Sequence, residues 1–414
     1  KIMNLLKKIT AIAILIIAAQ AVYSQDTEIH GYVRNYTGAL TDDQGNFSII
    51  QNTLDLDIEK TGMDMGFKVN PYVYHYVNDR LDYGLREAYI DLYFKSMDLR
   101  LGKQQIIWGQ ADGVFITDVV SPKNLQEFLL PEFDEIRVGI TSLKADYYIG
   151  NHTFELVWAP EFVPTQYPDR ESIWFPSMYP DYANIDKSQK DIKPSIENSE
   201  IFFKYSLLSS ALDLELMGGY MWDDDPAMHM DRYNINPQTR MPDSLVLRPQ
   251  HHRISLAGGS FSTDIVGVVL RGEGAFYDDK HFPVTSLSKE DGLVTKDYAH
   301  YLLGLDFIIG GVNFSTQFIQ ETILDYEDPI RQDEFENTMT FLAKDDFFRD
   351  KLTLEFFMYY GFENQDALIR PTATYEVGSG VNLITGANLF TGTEGRFGQF
   401  NPNDMVYFKL RYDF

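Results

Sequence analysis

MVYFKLRYDF, residues 405–414, sets Val406, Phe408, Leu410, Tyr412 and Phe414 against Met405, Tyr407, Lys409, Arg411 and Asp413. Apolar side chains at every second position, with charges between them, describe a strand with one apolar and one polar face. The fold depends on which solvent each face meets. If the apolar face meets lipid and the polar face meets water, the strand belongs to a wall between the two.

The same period of two runs through the chain. TLDLDIE (53–59) opposes Leu54, Leu56 and Ile58 to Asp55 and Asp57. ALDLELMGGY (211–220) opposes Leu212, Leu214 and Leu216 to Asp213 and Glu215. VVLRGEGAFY (268–277) opposes Val268, Leu270 and Phe276 to Arg271 and Glu273, and LTLEFFMYY (352–360) opposes Leu352, Leu354, Phe356, Met358 and Tyr360 to Thr353 and Glu355. The strand candidates number about 18, each of roughly 9–14 residues, long enough to cross a bilayer obliquely. Connections alternate in length. Short ones at 59–62, 95–98, 149–152, 209–212 and 309–312 are interleaved with long ones at 36–46, 109–135, 161–196, 223–250, 278–297, 324–336 and 391–403. A soluble sandwich has no reason to sort loops by parity, whereas an outer-membrane barrel keeps short turns inside and long loops outside. The expected fold is all-β, a closed antiparallel transmembrane β-barrel of about 18 strands, with 16 as the alternative. The closing strand would pair with one near IHGYVRN (29–35), leaving no edge and no unpaired amide in lipid.

Composition agrees. Of 414 residues 14% are aromatic, with 26 Tyr and 29 Phe, and the net charge is −26. No long apolar run follows the first 25 residues, which excludes a bundle of membrane helices. The acidic balance argues against nucleic acid as a partner. The start, KIMNLLKKITAIAILIIAAQAVYSQ, has basic residues, an apolar run and small residues before Gln25, the layout of a cleaved signal peptide over 1–24. Residues 25–414 are then the barrel, placed in the outer membrane of a Gram-negative cell. There is no cysteine, so disulfides and cysteine lipidation are excluded.

Phase assigns the faces. Asp55, Asp57, Glu87, Asp91, Asp213, Glu215, Glu273 and Glu355 fall on polar faces with Arg100, Arg271, Lys409 and Arg411, which predicts a pore lining with excess negative charge and a preference for cations. Turning Arg411 to lipid at mid-depth would cost roughly 2–4 kcal/mol, which pins the register. Phe408, Leu410, Tyr412 and Phe414 on the opposite face look like the signal read by the β-barrel assembly machinery. The third outer loop, around 109–135, carries Val114, Phe115, Ile116, Val119, Val120, Leu125, Phe128, Leu129, Leu130 and Phe133, far too much apolar surface to leave in water. It is expected to fold into the lumen as a constriction, with Asp112, Asp118, Lys123 and Glu127 narrowing the path.

Catalytic patterns are missing. The eight histidines are scattered, with no His-Glu-x-x-His run and no Gly-x-Ser-x-Gly elbow. His251 and His252 adjoin a strand and would point to opposite faces. WDDDPAMHMD (222–231) lacks the ligand spacing of a calcium loop. No enzyme activity, no catalytic residue, no metal site and no cofactor are expected.

Three segments carry a more specific likeness. LREAYIDLYFKSMDLRLGKQQIIWGQADGVFITDVVSPKN (85–124), LRGEGAFY (270–277) and GVNLITGANLFTGTEGRFGQF (380–400) resemble a largely uncharacterised family of Gram-negative outer-membrane barrels usually placed near the alginate-export porins. The match is most specific from Gly102-Lys103-Gln104-Gln105 to Trp108-Gly109 and at Ser121-Pro122-Lys123-Asn124. The resemblance implies an outer-membrane channel and brings no functional residues with it. A basic pore, which an anionic polysaccharide would call for, is where this acidic chain departs from the alginate channels.

The leading expectation is therefore a porin-like channel for small solutes, seated in outer-membrane lipid and lipopolysaccharide. The alternative is a surface binding or adhesion protein that uses the aromatic loop APEFVPTQYPDRESIWFPSMYPDYANID (159–186).

Overall fold

The computed structural model describes residues 27–41, 46–77, 80–176, 183–186, 192–235, 238, 242–285, 291–328 and 330–414. The expected signal peptide at 1–24 lies outside them. Among the described residues, eighteen strands pair antiparallel with their neighbours along the chain, and the first strand, Glu28–Leu40, pairs with the last, Met405–Asp413. That seam runs from Tyr32 opposite Asp413 to Leu40 opposite Met405 and closes the sheet into a barrel. Closure leaves the sheet without an open edge.

Alternation along each strand sorts the side chains. In the closing strand Met405, Tyr407 and Lys409 are buried inward, while Val406, Phe408, Leu410, Tyr412 and Phe414 are 44–50% exposed on the outside. Leu54, Ile90, Leu92, Leu216, Leu303, Leu305, Phe318 and Phe356 continue this outward apolar surface around the barrel. No helix among the described residues is long and apolar enough to cross a membrane; the helices present are single turns such as Phe133–Ile136 and Gly395–Gly398.

One end of the barrel is closed by tight turns. Ile309 and Val312 are joined by Gly310 and Gly311 at φ 63° and 98°, the positive values a two-residue hairpin turn needs. The other end carries the long connections 105–139, 160–199 and 223–252. Two connections here, 77–80 and 362–365, are short. Other segments expected as loops are strand. Residues 36–40 continue the first strand because Tyr36 and Leu40 bury in an aromatic cluster. Strands Val268–Pro283 and Leu293–Ile309 run on past a bulge after Tyr277, because Phe282 and Val294 pack with Val284, Ile323 and Ile330. The connections around 161–196 and 223–250 hold a separate sheet, in which Pro242–Gln250 pairs antiparallel with Ala227–Ile235 and parallel with Ala183–Ile185.

Candidate functional site

The connection 105–139 makes contacts with strands on two sides of the barrel. On one side its acidic turn meets bases of the first, fourth and last strands. Arg34, 2% exposed, places Nη2 2.8 Å from Glu135 Oε1 and Nη1 3.6 Å from Glu132. Arg86 approaches Glu135 at 3.5 Å while its Nε holds Asp55 at 2.8 Å. Arg411 and Lys409 reach Glu132 at 3.3 and 3.9 Å. Tyr32 and Tyr74 donate hydrogen bonds to Glu135 at 3.0 and 3.2 Å. Burial works against the Glu135 charge, yet Arg34 and Arg86 outweigh it and hold this carboxyl down at about 2.

On the other side the loop meets the strands Val268–Pro283, Leu293–Ile309 and Val312–Ile323. The Glu273 carboxylate accepts from the backbone of Gln110 (3.0 Å), from the backbone of Thr117 (2.7 Å) and from the Thr117 hydroxyl (2.6 Å). Arg271 pairs with Asp112 and, at 2.9 Å, with Asp306. Gln317 exchanges two hydrogen bonds with the Asp112 backbone, at 2.7 and 3.1 Å. Further round, Arg370 donates to the carbonyls of Leu129 and Leu130.

The apolar residues singled out in the sequence fill the space between. Val119 and Val120 pack with Trp108, Ile140, Val157 and Phe202. Ile116 packs with Ala275, Leu302 and Ile319. Phe128, Leu129 and Leu130 join Trp174, Phe390, Phe397 and Phe400. Burial of each such side chain contributes about 1.5–3 kcal/mol.

Most of the sequence-predicted lining residues meet an opposite charge. Asp57 binds Lys68 at 2.8 Å, and Lys68 also reaches Glu87 at 3.3 Å. Asp91 and Arg100 form two contacts at 2.7 and 3.0 Å. Glu215 lies 3.3 Å from Lys204, and Glu355 3.6 Å from Lys344. Asp213, near a tight turn, accepts from the Ser209 backbone at 3.3 Å. Of the four loop residues, Asp112 docks on Arg271. Asp118 is buried within the loop on Arg137 at 2.6 Å and does not line a path. Lys123 lines the cavity described next. Glu127 accepts from Tyr76 at 3.5 Å, and burial, with Glu135 nearby, pushes its carboxyl up to about 7. Sequence reasoning missed Arg34, Lys68, Arg86, Lys204, Lys344 and Arg370. Inward phase alone could have flagged Lys68 and Lys204.

Beyond the loop, toward the long-connection end, lies a cavity of about 900 Å³. Its lining includes the apolar Val114, Phe115, Leu125, Phe128 and Leu129 of the loop. The lining also carries seven carboxylates (Asp223, Asp224, Asp225, Glu321, Asp333, Glu336, Glu394) and four cations (Lys123, Lys280, Arg331, Arg396). Burial pushes the Asp224 carboxyl well above its usual range.

A closed eighteen-stranded antiparallel barrel of this design is the fold of the outer-membrane porins. The chain belongs to the family described as protein of unknown function (DUF1302), whose model matches residues 19–414. No curated protein matches it. Among solved structures it resembles OccAB2 of Acinetobacter baumannii, with TM-score 0.56 and 10% identity over 94% of this chain and 98% of that one. OpdL of Pseudomonas aeruginosa gives TM-score 0.54 and 13% identity over 94% and 99% of the two chains. OccK2 (OpdF) of Pseudomonas aeruginosa, solved in complex with glucuronate, gives 0.55 and 10% over 94% and 98%. At these identities the likeness is one of fold.

Proposed function

We propose that the barrel is an outer-membrane channel for small solutes, narrowed by the loop 105–139. The observation that carries this reading is the loop's attachment to both sides of the lumen, at Arg34–Glu135 and at Glu273–Thr117, below an open cavity of about 900 Å³. A protein using its barrel only as an anchor has no need of a partition held by buried charges. The aromatic loop that a surface binder would use has its Trp174 stacked on Phe128 and packed against Phe390 and Phe400. The proposal includes export through a signal at 1–24, delivery by the assembly machinery through Phe408, Leu410, Tyr412 and Phe414, and seating in lipid and lipopolysaccharide.

The channel prefers cations in this reading, and the preference arises at the cavity. Lumen carboxylates on the strands are largely paired, whereas the cavity lining has seven acids to four bases. Low-dielectric walls focus that surplus. OccK2 was solved with glucuronate, an anion; the surplus here suits a different cargo and sets the chain apart from alginate-export-type channels. Purified protein in a planar bilayer should give discrete conductance steps. A KCl gradient should give a reversal potential of cationic sign that shrinks as salt rises and the screening length falls from about 30 Å at 0.01 M to about 3 Å at 1 M. Absence of steps would remove the channel reading, and anion preference would remove the cation-preferring cavity.

A further inference from the structure

Three imidazoles from three segments meet beside the small sheet at the long-connection end. His229 lies in strand Ala227–Ile235, His252 in the two-residue link before strand Arg253–Ile265, and His281 in the extended part of strand Val268–Pro283. His229 Nε2 and His252 Nε2 are 2.9 Å apart. The His252 ring stacks on that of His281 with centroids 3.8 Å apart and planes at 12°. Behind the pair, His229 Nδ1 faces Asp291 Oδ2 at 3.8 Å. His281 Nδ1 is buried and has no hydrogen-bond partner. None of these groups takes part in holding the loop 105–139.

A single shared proton accounts for the two facing nitrogens but not for the third ring or the orphaned Nδ1. A neutral imidazole, with a lone pair free on one ring nitrogen, is the form that metal ions take up. Arg248, the nearby cation, is tied to Asp231 at 2.6 Å.

We propose that this cluster is a site for one borderline divalent transition-metal ion of the Zn²⁺ or Ni²⁺ kind, bound by His229 Nε2 and His252 Nε2. His281 supplies a third nitrogen by turning off the stack, and Asp291 holds the Nδ1 proton of His229, as carboxylates behind metal-bound histidines do. Two metal–nitrogen bonds of about 2.0–2.1 Å at a tetrahedral angle set the nitrogens about 3.3 Å apart, so the pair opens by about 0.4 Å. Nitrogen-rich ligation selects against Ca²⁺ and Mg²⁺. The ion would pin the small sheet to the barrel wall. At the opposite end Glu28, His30 and Glu59 have ligand atoms within 4.8 Å of one another, but that group is mainly carboxylate, with Glu28 and His30 exposed, and it serves as the control.

Calorimetric titration of the purified full chain in detergent with Zn²⁺, and separately with Mg²⁺, tests the site without any channel activity. One Zn²⁺ per chain should bind and Mg²⁺ should not. His229→Ala and His252→Ala should each weaken Zn²⁺ binding by more than about tenfold. His251→Ala should leave it unchanged, because His251 Nδ1 points away to the Asp223 carbonyl at 2.7 Å. Heat-dependent migration in SDS shows that each variant still folds. No Zn²⁺ binding, full affinity in folded His229→Ala, or loss on His30→Ala alone would overturn the proposal.

Discussion

Arg34 Nη2 and Glu135 Oε1 stand 2.8 Å apart, joining an inward-facing strand residue to a loop residue 101 positions further along the chain. Both are almost out of water, and the arginine has no other carboxylate as close. Removing one partner of such a pair leaves the other buried and uncompensated, at a cost of roughly 3–5 kcal/mol.

Glu135→Ala should therefore release the loop from this side, because Arg34 and Arg86 lose a shared partner together. The expected result is larger or noisier single-channel conductance and faster cleavage within 105–139 by added protease. Wild-type conductance and protease resistance in a folded Glu135→Ala protein would show that the contact does not hold the loop.

Glu127 gives the loop a pH response of predictable sign. The docked carboxyl sits at about 7, raised from an ordinary 4.5. The docked loop thus binds more protons than the released loop between those values, and docking weakens as pH rises through that window. Below about 4.5 and above about 7 this contribution is flat. Gating frequency measured from pH 4 to 8 should rise across the window in the wild type and lose that rise in Glu127→Gln; an identical profile in the variant would assign the response elsewhere.

The faces of the closing strand can be separated by two neighbouring substitutions. Phe408→Arg puts a guanidinium on the outward face, at roughly 2–4 kcal/mol if near mid-membrane depth. Lys409→Gln removes one inward charge that lies 3.9 Å from Glu132. Membrane levels of heat-modifiable protein should fall sharply for the first and little for the second. Equal levels would contradict the assigned register.

Gly102 is a position where the backbone demands glycine. Its φ is 135°, and a Cβ there would lie 2.3 Å from the Ala88 carbonyl oxygen in the neighbouring strand. Gly102→Ala should lower the temperature at which the barrel unfolds in SDS, with migration after boiling unchanged. An unshifted transition would refute the close approach.

Much of the barrel was legible because lipid on one face and water on the other imprint a period of two, as residues 405–414 show. The lining was less legible, and Arg86 shows why. In LREAYIDLYF, strict alternation sends Glu87 inward and Arg86 outward. Asn70 instead pairs with Glu87 while Pro71 pairs with Leu85, leaving Arg86 as the extra residue of a bulge. Pro71 lacks the amide that a regular ladder would use, and the bulge lets both neighbours turn inward. Glu87 then meets Lys68 while Arg86 meets Asp55 and Glu135. Charge balance was hidden for a related reason: the cations that neutralise Asp57, Glu215 and Glu355 stand on adjacent strands, so a count along one strand overstates the field. The outer parts of the strands Val268–Pro283 and Leu293–Ile309, which fall within the loop expected at 278–297, are illegible because they bury side chains against each other instead of alternating toward lipid.

The two attachments of the loop fall on strands about half the barrel's circumference apart, the first to fourth at one end and the eleventh to thirteenth at the other. A cylinder tied across its diameter resists becoming an ellipse. Lateral squeezing by the surrounding bilayer would load Arg34–Glu135 and Glu273–Thr117 as the two ends of a strut, so that the shape of the wall and the width of the passage change together.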